Sequence, residues 1–297
     1  MNKDKPLDMV QAKASEMNGD LNLPRCLGRA GMVRNLRDYL VQGTSAVLTG
    51  GPKMGKTTLL KQTAEALSAG PAPVWADLSN GPPADSKWPL PKEPDPFILL
   101  LDGCEGLLPN PIPFLRTIQE RSRKWGKRLR GAVWCGGVSW GEWAMAHRSS
   151  FDRPLRYYPL VVLPPKEARP FLRQHLPKET TSSEIEGFLE AAGGHPYLLS
   201  NLLRPLEGDT DAFFSGLWDA AGSPDERAVL TQLIENGSWI LLADLKTVSG
   251  GKIPKRVLDR LAILGLITRT LVDGSAAAKA VSPLLGEWAA RTRLIFR

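Results

Sequence analysis

Cysteine and histidine are scarce, with three of each in 297 residues. Cys26, Cys104 and Cys135 are scattered and odd in number, so neither a disulfide framework nor a zinc site is suggested. His147, His175 and His195 show no metal-ligand spacing either. Long hydrophobic runs are also missing. No apolar stretch approaches the roughly 20 residues of a membrane span. The opening MNKDKPLDMVQAKASEMNGD lacks the apolar centre of a signal peptide. These absences predict a protein of the reducing cytoplasm with no membrane partner. What is present is ordinary for a globular chain, with 42% hydrophobic and 23% charged residues. The length allows a substantial core in two or three subdomains.

The net charge of +7 is unevenly placed. Lys252 to Arg297 holds nine basic residues against three acidic ones, a net of +6. A second cluster runs Arg121, Arg123, Lys124, Lys127, Arg128 and Arg130. Such clusters either attract phosphate backbones or form solvated faces, and both readings stand at this level.

The most informative stretch is Ala46 to Leu60, AVLTGGPKMGKTTLL. An apolar strand leads into Gly50-Gly51-Pro52-Lys53-Met54-Gly55-Lys56-Thr57, which fits G-x-x-x-x-G-K-[ST], the phosphate-binding loop of P-loop NTPases. Glycines let successive backbone N–H groups converge on a phosphate. Lys56 supplies a point charge for the β- and γ-phosphates, and Thr57 supplies a hydroxyl for Mg²⁺. The helix expected from Thr57 to Leu67, carrying Thr58 in its first turn, aims its positive end at the same anion.

Further along, Val74 to Leu78 reads as a second strand. The proline-rich Ser79 to Pro96 replaces the expected crossover helix with an extended loop. Phe97 to Asp102 is a continuous apolar run ending in an acid, as in a strand buried on both faces with its tip at the ligand edge. Asp102 fits the Walker B aspartate and a second metal-site residue. Glu105 is either the carboxylate that orients an attacking water or an ordinary loop acid. Phe114 to Trp125 reads as a helix, and Gly131 to Cys135 and Pro159 to Leu163 as the fourth and fifth strands. The alternation indicates an α/β fold with a parallel, doubly wound sheet.

Beyond Pro165 the pattern is helical: Lys166–His175, Ser183–Ala192 stopped by Gly193-Gly194, and a helix opened by Pro196. Ser223-Pro224-Asp225-Glu226 is a capping box. Its helix, a short helix over Ala243–Val248, a third over Pro254–Leu264 and a hairpin turned at Asp273-Gly274 compose a winged helix-turn-helix. The domains read from this are a polar arm (1–22), a P-loop core (23–164), a helical lid (165–221) and the winged-helix domain (222–297).

Taken with these residues, the chain resembles P-loop ATPases of the AAA+/STAND superclass, and most of all the MNS-like, archaeal-type branch. Leu27-Gly28-Arg29 resembles its "h-G-R-x-x-E" motif near the adenine. The two Walker segments match, Phe151-Asp152-Arg153 resembles "Y-G-R", and Gly193-Gly194-His195-Pro196 resembles the lid's "G-G-x-P". The resemblance implies that the fourth strand lies between the P-loop strand and the Walker B strand. It implies ATP or ADP with Mg²⁺ held by Arg29, the loop from Gly50 through Thr58, and Pro196. It makes Arg153 a phosphate-sensing arginine, acting in cis or towards a neighbour. Departures from the pattern are Gly103 in place of the second Walker B acid, Gly136-Gly137 where a polar sensor is usual, and Gly31 and Met32 where acids are typical. The expectation is an ATP-binding, slowly hydrolysing switch that acts on a separate protein, with nucleotide-dependent oligomerisation possible. The alternative is a DNA-handling ATPase whose winged helix binds DNA nonspecifically through Lys252, Lys255, Arg256 and Arg260. A third reading is a nucleotide-stabilised structural subunit.

Overall fold

The computed structural model describes residues 28–68, 70–82, 90–91, 94–203 and 210–292. The expected arm, Leu27, and parts of the proline-rich segment lie outside them. The described residues divide into two units: Arg29–Gly50 with Gly55–Leu160, and Gly28 with Gly51–Met54 and the residues from Val161 onwards.

The first unit is built on five strands: β1 (Ser45–Thr49), β2 (Ala72–Asp77), β3 (Phe97–Asp102), β4 (Leu129–Gly136) and β5 (Leu155–Pro159). All pair in parallel, in the order β2-β3-β4-β1-β5. β1 is buried at every position and β3 at all but its last, Asp102, as two-sided burial of a central strand requires. Four helices belong to this unit: α1 (Ala30–Val41), α2 (Lys56–Ala66), α3 (Ile112–Trp125) and α4 (Val138–Ala146). One sheet face, with Val47, Leu99, Leu101 and Trp134, packs against Phe114 and Ile118 of α3 and Trp140 and Ala144 of α4. Side chains of this size each contribute about 1.5–3 kcal/mol when fully buried. The alternate residues face α1 and α2, so the sheet is doubly wound. No helix occurs among the described residues between β2 and β3, as the prolines there predict.

The fifth strand lies earlier than the expected Pro159–Leu163. β5 runs alongside β1 from Leu155 opposite Ser45 to Pro159 opposite Thr49. Leu160 N–H makes one last bond to Thr49 O. There β1 turns into the glycine loop, and the parallel pairing with β1 ends. Leu160, Val162 and Leu163 are buried while Val161 is exposed, so the apolar pattern there marks burial of three residues rather than strand pairing.

The second unit holds α5 (Pro165–His175), α6 (Ser182–Ala192), α7 (Pro196–Leu203), α8 (Thr210–Ala220), α9 (Pro224–Asn236), α10 (Lys255–Leu264) and α11 (Pro283–Arg291). A three-stranded antiparallel sheet of β6 (Ile240–Leu241), β7 (Ile267–Val272) and β8 (Ser275–Ala280) has the order β6-β8-β7. Both members of the Ser223–Glu226 capping box are made at α9. The Asp273-Gly274 turn has positive φ at both residues, 49° and 79°, as a two-residue type I′ hairpin needs. The expected helix over Ala243–Val248 is absent. Residues 242–244 form turns, and Lys246 bridges Lys252. Gln232 takes part in this, its side chain bonding both Lys246 N–H and Lys246 O. Helix α8 and strand β6 had no counterpart in the sequence reading. No helix among the described residues is long and apolar enough to cross a membrane.

Candidate functional site

The C-terminal ends of β1, β3 and β4 bring the predicted residues of the first unit together. β4 lies between β1 and β3, the arrangement that the resemblance implies. The loop after β1 carries left-handed backbone at Lys53 (φ 58°) and Gly55 (φ 80°), the kind of turn that makes an anion nest from backbone N–H groups. Gly55 immediately precedes the eleven-residue helix α2, whose first turn holds Lys56, Thr57 and Thr58. Lys56 Nζ donates to Gly50 O at 3.1 Å. Thr57 Oγ1 donates to Asp102 Oδ2 at 2.7 Å, joining the helix start to the tip of β3. Arg29 is 8% exposed, and its guanidinium lies 3.7 Å from where a side chain on Gly55 would begin. These groups fit a phosphate and its metal: a cation, a nest, a helix N-terminus, and a hydroxyl paired with a carboxylate.

Two of the glycines singled out in the sequence have a steric cause. A side chain on Gly103, at φ +69°, would collide with the backbone and hydroxyl of Ser79. Asp77 holds Ser79 there, its Oδ1 accepting from Ser79 N and Oγ at 2.9 and 2.6 Å, and these bonds hold its carboxyl below the usual range. An acid at 103 is therefore impossible without moving the end of β2. At Gly136 a side chain would meet Glu105 Oε2 at 2.8 Å and the Trp140 ring at 2.7 Å. Glu105 thus occupies the space at the tip of β4 that a side chain on residue 136 would need, and it accepts Gly137 N–H at 3.0 Å.

Thr49 and Cys135 were missed from the sequence. Thr49 Oγ1 donates to Gly137 O at 2.8 Å and fixes the β4 tip. Cys135 pairs in register with Leu48 and lies beside Asp102. Burial pushes its thiol well above the ordinary range; Asp102 pushes the same way and Lys56 opposes. The neighbouring strand order would have pointed to it, but no local motif does.

Arg153 requires a correction. Its guanidinium donates to Leu129 O (2.7 Å), Arg130 O (3.2 Å) and Gly43 O (3.3 Å), at the N-terminal ends of β4 and β1. The phosphate loop leaves the opposite end of β1, so Arg153 does not reach it in the same chain. It ties strand ends together. Arg260 also differs from expectation. It bonds Glu226 at 2.9 Å and Ala220 O at 3.1 Å, so it is not an open phosphate contact. Arg269 and Arg291 are likewise ion-paired, with Asp259 and Asp211. Lys252, Lys255 and Arg256 remain exposed.

In the second unit, Pro196 opens α7 and is buried. Residues 51–54 of the glycine loop group with this unit. Gly51 N–H donates to Ile263 O at 2.8 Å, and a side chain on Gly51 would strike Leu264 O. The remaining predicted loop residues, Pro52 and Lys53, are exposed, and Met54 is buried. No group of three or more potential metal-ligating His, Cys, Asp or Glu side chains occurs among the described residues.

No protein-family model matches the chain, and no curated protein matches it in sequence. Among solved structures it is similar to Cdc6p from Pyrobaculum aerophilum, at 13% identity and a TM-score of 0.43, covering 95% of this chain and 97% of that one. It is similar to the Aeropyrum pernix ORC1 protein, solved in complex with DNA, at 14% identity and a TM-score of 0.40, covering 95% and 98%. The Thermotoga maritima RuvB Holliday junction branch migration motor matches at 16% identity and a TM-score of 0.42, covering 84% and 93%. Likenesses of this degree say nothing of activity, and the fold assignment stands on the chain's own strand order.

Proposed function

We propose that this chain is an ATP-binding, slowly hydrolysing molecular switch of the AAA+/STAND type that regulates a partner protein or assembly. The observation that carries the reading is the convergence of the Lys56 loop with the Thr57–Asp102 pair. ATP or ADP occupies the loop from Gly50 through Thr58, with Arg29 beside Gly55. Thr57 and Asp102 are the residues that would hold Mg²⁺, whose role is to neutralise charge on the β- and γ-phosphates. The glycines at 103 and 136 leave Glu105 as the one carboxylate proposed to orient water, which supports slow turnover. In this reading residues 1–22 form an arm, 23–164 the ATPase core, 165–221 a lid with Pro196 near the base, and 222–297 a winged-helix domain. Oligomerisation with nucleotide bound belongs to the same proposal.

A switch needs a ligand that interacts differently with two states. Gly51 N–H offers one route, since Ile263 O already holds a donor that a phosphate-cradling loop presents to its anion. The test is calorimetric titration of Mg²⁺-ATP and Mg²⁺-ADP into wild type and Lys56→Ala, with limited proteolysis in each nucleotide. Binding lost in Lys56→Ala and nucleotide-dependent cleavage patterns are expected. Unchanged affinity in Lys56→Ala sinks the site assignment, and identical cleavage with ATP and ADP sinks the switch.

A second reading, a DNA-handling ATPase, is favoured by the exposed Lys252, Lys255 and Arg256 around the start of α10. The ion pairs of Arg260, Arg269 and Arg291 lower the charge available to it, and binding of this kind would be weak and nonspecific.

A further inference from the structure

The second unit contains a cavity of about 820 Å³ lined by the extended residues 161–165, by α6 and by strand β7. Its lining takes four consecutive residues of β7, from Ile267 to Thr270. Successive side chains of a strand point to opposite faces. Four in a row therefore mean that the cavity meets the strand's hydrogen-bonding edge.

The ladder shows which backbone groups lie on that edge. Val281 N–H donates to Leu266 O, so Leu266 and Val281 are a bonded pair. In the antiparallel register Thr268 faces Lys279 and Thr270 faces Ala277, and these repeat the bonded spacing. Ile267, Arg269 and Leu271 therefore turn their N–H and C=O groups away from β8. The far side of β8 agrees, because Ala276 O is directed to Leu242 N–H near β6. β7 is the outer strand of the sheet, and the outward backbone groups of these three residues have no bonded partner among the described residues. Free N–H donors are few at the turn of the opposite wall. Leu163 N–H is bonded to Gly194 O, and Pro164 and Pro165 have no N–H.

We propose that β7 accepts one extended segment of a partner protein as a fourth strand of this sheet, seated in the cavity. Backbone bonds to Ile267, Arg269 and Leu271 hold it. Val162, Leu189 and Val281 receive an apolar side chain. The charges at the rim define the rest of the segment. Arg269 is paired with Asp259, Glu186 with Arg169, and Lys279 lies 5.5 Å from the centre of the Trp239 ring. Glu190 has no ion-pair partner among the described residues. The segment therefore carries a Lys or Arg towards Glu190. The proposal does not depend on nucleotide binding at the glycine loop.

The test uses a phage-displayed library of random seven-residue peptides selected on the full chain, followed by fluorescence anisotropy with the enriched sequences as synthetic peptides. Enrichment of alternating apolar sequences with one Lys or Arg is expected. Arg269→Pro removes an outward N–H at a place where an edge strand tolerates proline, and it should weaken binding about tenfold or more, whereas Arg269→Ala keeps the N–H and should bind like wild type. Glu190→Gln should weaken binding by a factor of about three or more, the scale of one exposed charge pair. In the wild type, bound peptide should slow amide exchange at Arg269 and Leu271, a readout that stands even if Arg269→Pro fails to fold. No enrichment, equal binding by a folded Arg269→Pro, or unchanged exchange at these amides would overturn the proposal.

Discussion

Thr57 and Asp102 are 45 residues apart in the chain and 2.7 Å apart in the fold. The bond joins the first turn of α2 to the last residue of β3, with β4 between β3 and β1 in the sheet. If these two oxygens hold a metal beside a phosphate, removing the carboxylate charge should be felt through the metal alone. Asp102→Asn is expected to weaken nucleotide binding in Mg²⁺ and to leave binding in EDTA close to that of wild type. Calorimetric titration in the two buffers decides it, and an equal loss in both would remove Asp102 from the metal site.

Glu105 sits where Gly136 leaves room for it and accepts Gly137 N–H. Turnover of the purified protein should fall below the enzyme median of about 10 per second. Glu105→Gln keeps an acceptor for Gly137 N–H and loses only the charge. The expected result is a lower hydrolysis rate with unchanged nucleotide affinity, read by phosphate release and calorimetry. A rate equal to wild type would return Glu105 to the role of a loop carboxylate that fixes β4.

Arg153 bridges three carbonyls at the starts of β1 and β4. Truncation to alanine removes donors from partly buried acceptors, which costs roughly 1–3 kcal/mol. Arg153→Ala should therefore lower the urea midpoint and leave the turnover of the folded fraction unchanged. A variant with wild-type stability and abolished hydrolysis would restore Arg153 as a phosphate-sensing residue, supplied towards a neighbour.

The exposed Lys255 and Arg256 test the DNA reading. Each phosphate contact should contribute about 0.9 to the magnitude of the slope of log affinity against log salt. The salt dependence of fluorescence anisotropy on a duplex should then be shallow, and shallower still in Lys255→Glu/Arg256→Glu. A flat response, or coincident curves for the two proteins, would remove DNA and leave protein as the target of this region.

Local chemistry alone determined the parts whose information is contiguous. The glycine loop and α2, the strand ending at Asp102, the proline-blocked crossover, the Ser223 capping box and the Asp273-Gly274 turn each need only neighbours within a few residues. The tertiary structure decided everything that depends on which strand lies beside which. It shifted the fifth strand to Leu155–Pro159 because β1 ends at Thr49. It carried Arg153 to the far end of the sheet and closed Arg260 onto Glu226. It replaced the helix expected at Ala243–Val248 with turns around a Lys246–Lys252 bridge. It also explained two absences that the sequence displays without a reason. Gly103 is glycine because Ser79 fills the space of its side chain, and Gly136 because Glu105 and Trp140 do. Steric exclusion between residues far apart in sequence leaves no periodicity or motif in the chain, and only packing brings it into view.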